Sequence, residues 1–193
     1  RRSSKPRGTA VGVPGPRERM AGLKYRRVRA WTMRPRLRHL LAVTTGFTFV
    51  LILLGVYTGA MGAGLACAGR WPFCDGWLGL FPANLPSFLE WFHRFVAMIT
   101  GFLILGSAVQ AYRGDHDRRV LGATVFAVVV LPVQVLLGAN TIFNYGVLAQ
   151  VTHHAAALLI FGAMVAATAW AFAEAGGETA SVAAGTEASS SAD

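Results

Sequence analysis

The sequence predicts an all-α membrane protein, a four-transmembrane-helix bundle. Three observations predict it. Hydrophobic residues make up 54% of the 193 residues and charged residues only 14%, against about a quarter charged in an ordinary soluble domain. The apolar residues fall into four long blocks, and the mean hydropathy is +0.47. The basic residues crowd one end: of 18 Lys and Arg, 13 lie between Arg1 and Arg38, opposed there only by Glu18. A length of this kind leaves room for one bundle and not for a second folded domain.

Residues 1–38 are rich in Arg, Pro, Gly and Ser and carry no sustained apolar period, so a basic disordered or interfacial arm is expected. A basic arm is one signature of nucleic-acid binding. Beside a first membrane span its simpler role is topogenic: Lys and Arg hold that end in the cytoplasm and touch anionic head groups. A nucleic-acid partner is therefore not expected. The chain opens on Arg1, and Met20 and Met33 are expected as alternative starts. The apolar block that follows is too long for a signal-peptide core.

Four spans are expected within a membrane unit at 39–173. A bilayer core takes about 20 apolar residues at about 1.5 Å each. The first span is Leu40–Met61, with no charge. The second runs from about Ser87 to Tyr112 and is apolar but for Glu90, His93, Arg94 and Gln110. The third is Val120–Ala139, with Pro132 and Gln134 inside. The fourth is about Gly146–Phe172, with Gln150, His153 and His154 near its start. From 174 to 193 the Gly, Ala, Ser, Thr and Glu composition predicts a disordered tail. Three Arg in the Arg113–Arg119 loop, against Arg70 alone in the Cys67–Cys74 loop, predict a multi-pass plasma-membrane protein with both termini cytoplasmic.

Polar groups inside a membrane are costly and usually face a protein interior or a cofactor. His93 lies six residues after Ser87 and His153 seven after Gly146. Spans two and four run in the same direction, so both imidazoles sit roughly 10 Å in from one surface. That is the arrangement for ligating one heme iron from opposite sides, or for sharing a heme pocket. The bland alternative for a membrane histidine is a hydrogen bond across a helix interface. A zinc site is less favoured, because only Glu90 adds a carboxylate at that depth. His39 and His116 read as boundary residues. On span four the stripe through His153 is small (Ala149, Ala156, Ala163) and suits helix contact. The stripe through His154 (Gln150, Phe161, Val165) is bulkier, so His154 stays a second ligand candidate.

Glu90 has two readings. Ser87-x-x-Glu90 fits a capping box in which Glu90 returns to the Ser87 backbone N–H. As a functional group, it stands three residues before His93 on one helix face and could accept protons or hold water. Arg94 either pairs with Glu90 at i+4 or meets a heme propionate. Gln134 either bonds another helix or lines the pocket. Cys67 and Cys74 share a short outward loop, where an oxidising face favours a disulfide. The alternative is a redox-active dithiol.

The stretches Gly64-Leu-Ala-Cys67, Trp71-Pro-Phe-Cys74-Asp-Gly76, Glu90-Trp-Phe-His93-Arg94 and Gln134-Val-Leu-Leu-Gly138-Ala-Asn-Thr141, followed by a His at the start of span four, resemble the heme A synthase family in this order. The likeness covers about residues 40–172. It implies an oxidoreductase that converts heme O to heme A, oxidising a ring methyl to a formyl group, for heme-copper terminal oxidases. It implies Glu90, His93 and Arg94 as the Glu-x-x-His-Arg motif, His153 or His154 as the span-four ligand, and a Cys67–Cys74 disulfide near the heme. Its cofactor is heme (heme O as substrate, heme B, or both). Its partners besides the lipid bilayer are a heme O synthase or terminal-oxidase assembly proteins. The chain departs from the family pattern at Gly59, Met61 and Gly69-Arg70. Family members usually have eight spans in two halves; this chain has one half, so a homo-oligomer is expected. A b-type electron-transfer cytochrome is the competing function, though it needs neither Glu90 nor the Cys loop. A membrane thiol–disulfide oxidoreductase ranks third, since that class carries Cys-x-x-Cys and a second pair.

Overall fold

The computed structural model describes residues 16–79, 81–114 and 116–190, with side chains from Leu37 to Gly177 apart from positions 80 and 115. Among the described residues its named elements are helices: α1 Pro16–Ala60, a 3-10 turn at Ala63–Leu65, α2 Leu85–Arg113, α3 Arg118–Phe143 and α4 Val147–Ser190, with turns and an isolated Trp77–Phe81 bridge in the loop before α2. Within these, Leu37–Ala60, Leu85–Arg113, Arg118–Phe143 and Val147–Gly177 are long and apolar enough to cross a membrane. The protein is a multi-pass, all-α membrane protein, as its composition requires. The helical backbone of α1 and α4 continues into the segments expected to be irregular, 1–38 and 174–193, over residues 16–38 and 174–190.

The span boundaries lie within a few residues of expectation, and the local chemistry explains the shifts. Asn84 caps α2 by accepting the Ser87 N–H at 2.9 Å, with Pro86 in the first turn. The capping box expected between Ser87 and Glu90 is therefore absent: the Ser87 N–H is already satisfied, and the Glu90 carboxylate turns toward Arg94 instead. Asp117 caps α3 through the Arg119 N–H at 2.8 Å. At its other end α3 extends past Ala139 to Phe143. There Thr141 Oγ1 donates to the Gly138 carbonyl at 2.7 Å and Asn144 Nδ2 to Asn140 Oδ1 at 2.8 Å, so the polar groups are satisfied within the helix.

The four helices form a ring. Each packs against its chain neighbours, α4 closes against α1, and the diagonal pairs α1/α3 and α2/α4 do not pack together. The tight core lies toward the Arg113–Arg119 end, where Leu37, Leu41, Ile104, Val120, Met164 and Ala167 are fully or almost fully buried. Lipid supplies no hydrophobic drive between helices, so association there rests on close packing and hydrogen bonds. Such bonds include Thr44–Ser107 at 3.1 Å from α1 to α2 and Thr45–Thr168 at 2.9 Å from α1 to α4. The Asp117 N–H donates to Glu174 Oε1 at 2.9 Å and ties the short α2–α3 loop to α4. The opposite end carries the buried Glu90 together with His93 and His153 packed on glycines.

Candidate functional site

The structure brings Glu90, His93, Arg94, His153 and His154 to that end of the ring. His93 on α2 lies within Coulombic range of both His153 and His154 on α4, across the diagonal where the helices do not touch. Each imidazole packs on a glycine of its hairpin partner. A Cβ on Gly55 of α1 would stand 2.9 Å from His93 Cε1, and one on Gly138 of α3 would stand 3.2 Å from His153 Cε1. Only a residue without a side chain leaves the ring in that place. The Nδ1 atoms of His93 and His153 are buried and without a hydrogen-bond partner, which is a costly state for a nitrogen that has nothing to bind.

His154 differs from its neighbour. Its Nδ1 lies 2.7 Å from the Gln150 carbonyl, which can only accept, so the proton sits on Nδ1 and Nε2 keeps the lone pair. Gln134 of α3 reaches His153, Nε2 to Nε2 at 3.4 Å; it lines the site. Imidazoles carried on two different helices of the ring are residues of the kind that can hold a heme. Among the described residues no three His, Cys, Asp or Glu side chains gather as they would around a bare metal ion.

Glu90 is buried, 7% exposed, and its Oε1 accepts from Arg94 Nε at 2.9 Å. The Arg94 guanidinium reaches further than its own helix. Its Nη1 donates toward the carbonyls of Phe73 at 2.8 Å, Arg70 at 2.9 Å and Pro72 at 3.3 Å. Its Nη2 is buried and unpartnered. Cys67 and Cys74 are joined in a disulfide, and both are buried beneath the loop they close. Ser87 pins the same loop: its Oγ lies 2.8 Å from Asp75 Oδ2 and 3.0 Å from the Ala66 carbonyl. The sequence offers Ser87 only as part of a helix cap and gives Asp75 no role of its own.

The two hairpins repeat one plan. Gly55-x-x-Thr58 closes α1 and Gly138-x-x-Thr141 closes α3; Glu90-x-x-His93-Arg94 opens α2 and Gln150-x-x-His153-His154 opens α4. Glycine and histidine stand 38 positions apart in the first hairpin and 15 in the second. The long α1–α2 connection, residues 61–84, which contains the disulfide loop, makes most of that difference and hides the repeat from a fixed-period reading.

The family model of COX15-CtaA, cytochrome oxidase assembly protein, matches residues 20–165. Heme A synthase of Bacillus licheniformis is 32% identical over 143 residues, 72% of this chain and 47% of the relative. Heme A synthase of Bacillus pumilus is 31% identical over 134 residues, 65% of this chain and 42% of the relative. Protoheme IX farnesyltransferase of Halobacterium salinarum is 38% identical over 133 residues, 67% of this chain but only 28% of the relative. The chain thus spans less than half the length of each of these relatives. With a family model matched across all four spans but the last turns of α4, and with its motifs gathered at one end of the bundle, the chain belongs to the COX15-CtaA, or heme A synthase, family.

Proposed function

We propose that this protein is a heme A synthase-like membrane oxidoreductase that oxidises the ring methyl of heme O to the formyl group of heme A, serving terminal oxidase cofactor synthesis. The observation that carries the reading is the pair His93 and His153. They stand on diagonal helices, each ring is backed by a glycine, and each has a buried Nδ1 without a partner. His93 and His153 would hold a heme through imidazole nitrogens, and the bound heme would supply the redox chemistry. The hairpin repeat favours His153 over His154 as the partner of His93. The lone pair on His154 Nε2 makes it the alternative. Substrate heme brings the oxidisable methyl. Turning it into a formyl group adds one oxygen atom and removes four electrons, which an external oxidant such as dioxygen with an electron carrier must supply and accept, while the chain binds, orients and moves protons. Glu90, one helical turn from His93, takes up protons released at that carbon. Arg94 holds Glu90 in place, and its unpartnered Nη2 is available to a propionate. Gln134 orients the His153 ring.

The three Arg of the Arg113–Arg119 loop support an orientation with that loop and both termini in the cytoplasm and the disulfide loop and the site toward the outside, the membrane being the plasma membrane on this reading. The chain is read as a basic arm, a membrane unit and a tail divided near residues 38 and 174. A second copy supplies the half that longer relatives carry in one chain. The farnesyltransferase relative suggests a neighbour that, by its name, farnesylates protoheme and so supplies this substrate. A b-type electron-transfer cytochrome is the second reading. It is favoured by the ion pair that already occupies Glu90.

The test is expression in cells that make heme O, followed by extraction and chromatography of the bound heme. Heme O with hydroxylated heme or heme A is the expected outcome. His93→Ala and His153→Ala each lose heme, His154→Ala keeps it, and Glu90→Ala keeps heme O without oxidised product. Heme B alone in the wild type, with a reversible bis-histidine spectrum, establishes the cytochrome reading instead.

A further inference from the structure

We infer that Arg94 is a latch: it positions Glu90 by fastening the carboxylate to the disulfide-closed loop, so opening the Cys67–Cys74 bond releases Glu90 from its fixed place. The importance of Glu90 rests on the function proposed above, whereas the latch itself is read from loop chemistry and stands apart from it.

One guanidinium makes every connection. Its Nε edge holds Glu90 Oε1 at 2.9 Å, and its Nη1 is shared among the carbonyls of Arg70, Pro72 and Phe73. All three carbonyls lie inside the loop that the disulfide closes between residues 67 and 74. A guanidinium is a rigid planar fork, so moving the acceptors on one edge turns the donors on the other. The acceptors come from nearly consecutive residues with no helix or strand to hold them. The loop's covalent closure and the Ser87 pin to Asp75 and Ala66 keep them convergent. Ser87, Glu90 and Arg94 recur at helical spacing on one face of α2, so the loop rests on the face that carries the carboxylate.

The reverse coupling follows from burial. Cys67 and Cys74 are 1% and 0% exposed, and a thiol must reach a sulfur to exchange with it. Reduction by an added dithiol gives two cysteine thiols and one oxidised dithiol, and it requires the loop to lift first. Lifting breaks the Arg94 contacts, so Arg94 governs the rate.

The experiment uses the full chain in nanodiscs. Cys67 and Cys74 are its only cysteines, so labelling with a maleimide polymer reads the disulfide directly after timed exposure to dithiothreitol. Arg94→Gln is expected to shorten the reduction time about tenfold or more, since charge-assisted hydrogen bonds are lost. Arg94→Lys keeps the charge beside buried Glu90 but cannot span the carbonyls, and it falls between. It also guards against misfolding of the Gln variant. Equal reduction rates in wild type and both variants overturn the latch. Turnover to oxidised heme is then compared in Cys67→Ser/Cys74→Ser, in Arg94→Gln and in the triple variant. A triple variant no worse than the worse parent is expected, because both changes cut one connection. Losses that simply multiply overturn the link between loop and Glu90. If no heme is oxidised while the labelling rates still differ, the proposed function fails and the latch stands.

Discussion

Replacing Gly55 by Ala separates the helix from the site it serves. In a helix interior the change removes backbone freedom from the unfolded chain and stabilises by about 1 kcal/mol. At this position the new methyl would stand 2.9 Å from His93 Cε1, about 0.6 Å inside a carbon–carbon contact of about 3.5 Å. The helix backbone cannot yield that distance cheaply, so the imidazole moves. Overpacking of this kind costs about 1–3 kcal/mol, which cancels or exceeds the helical gain. Gly138→Ala meets His153 Cε1 at 3.2 Å, an intrusion of only about 0.3 Å on the same measure. The expected result is graded. Gly55→Ala folds with nearly wild-type thermal stability but loses most of its heme, whereas Gly138→Ala keeps heme with a shifted Soret band. Heme-to-protein ratio by pyridine hemochrome, together with circular-dichroism melting of the same samples, measures both. Full heme content and an unshifted spectrum in Gly55→Ala would refute the claim that the glycines seat the imidazoles.

Two further substitutions probe the bundle. Gln134→Leu removes the amide that lies 3.4 Å from His153 Nε2; heme should remain, with a midpoint potential moved on the order of 20–65 mV, the one-electron equivalent of about 0.5–1.5 kcal/mol. An unchanged potential in a redox titration removes Gln134 from the site. Thr45→Val and Thr168→Val, singly and together, dissect the bond that joins α1 to α4 at 2.9 Å. A coupling of about 0.6 kcal/mol is expected in a detergent unfolding cycle, the usual size inside membranes; strict additivity would mean the bond contributes nothing.

The spans were legible because apolar runs of this length have few other uses, and the matched depth of His93 and His153 followed from helical rise alone. The disulfide was legible from two cysteines in one short loop. Other features depended on contacts that no local pattern carries. Arg94 binds carbonyls of residues 70–73, and a backbone carbonyl leaves no mark in the sequence. Ser87-x-x-Glu90 matched a capping box, but Asn84 lies one turn earlier and takes the N–H. Gly55 and Gly138 look like ordinary small residues at a helix contact until the ring facing each one is seen. Asn140 and Thr141 read as loop because they are polar, yet both satisfy themselves inside α3.

The repeated hairpin gives the ring a bivalent character. Each half presents one imidazole from its own helix pair, and α2 and α4 share no packing of their own across the diagonal. On the proposed reading, a heme bound to the first hairpin meets the second at an effective concentration set by the α2–α3 loop and the Thr45–Thr168 contact, not by diffusion. The tightness of ligation then depends as much on how rigidly the halves are joined as on either histidine. By mass action, heme in return acts as a cross-link that favours the closed ring over the parted hairpins.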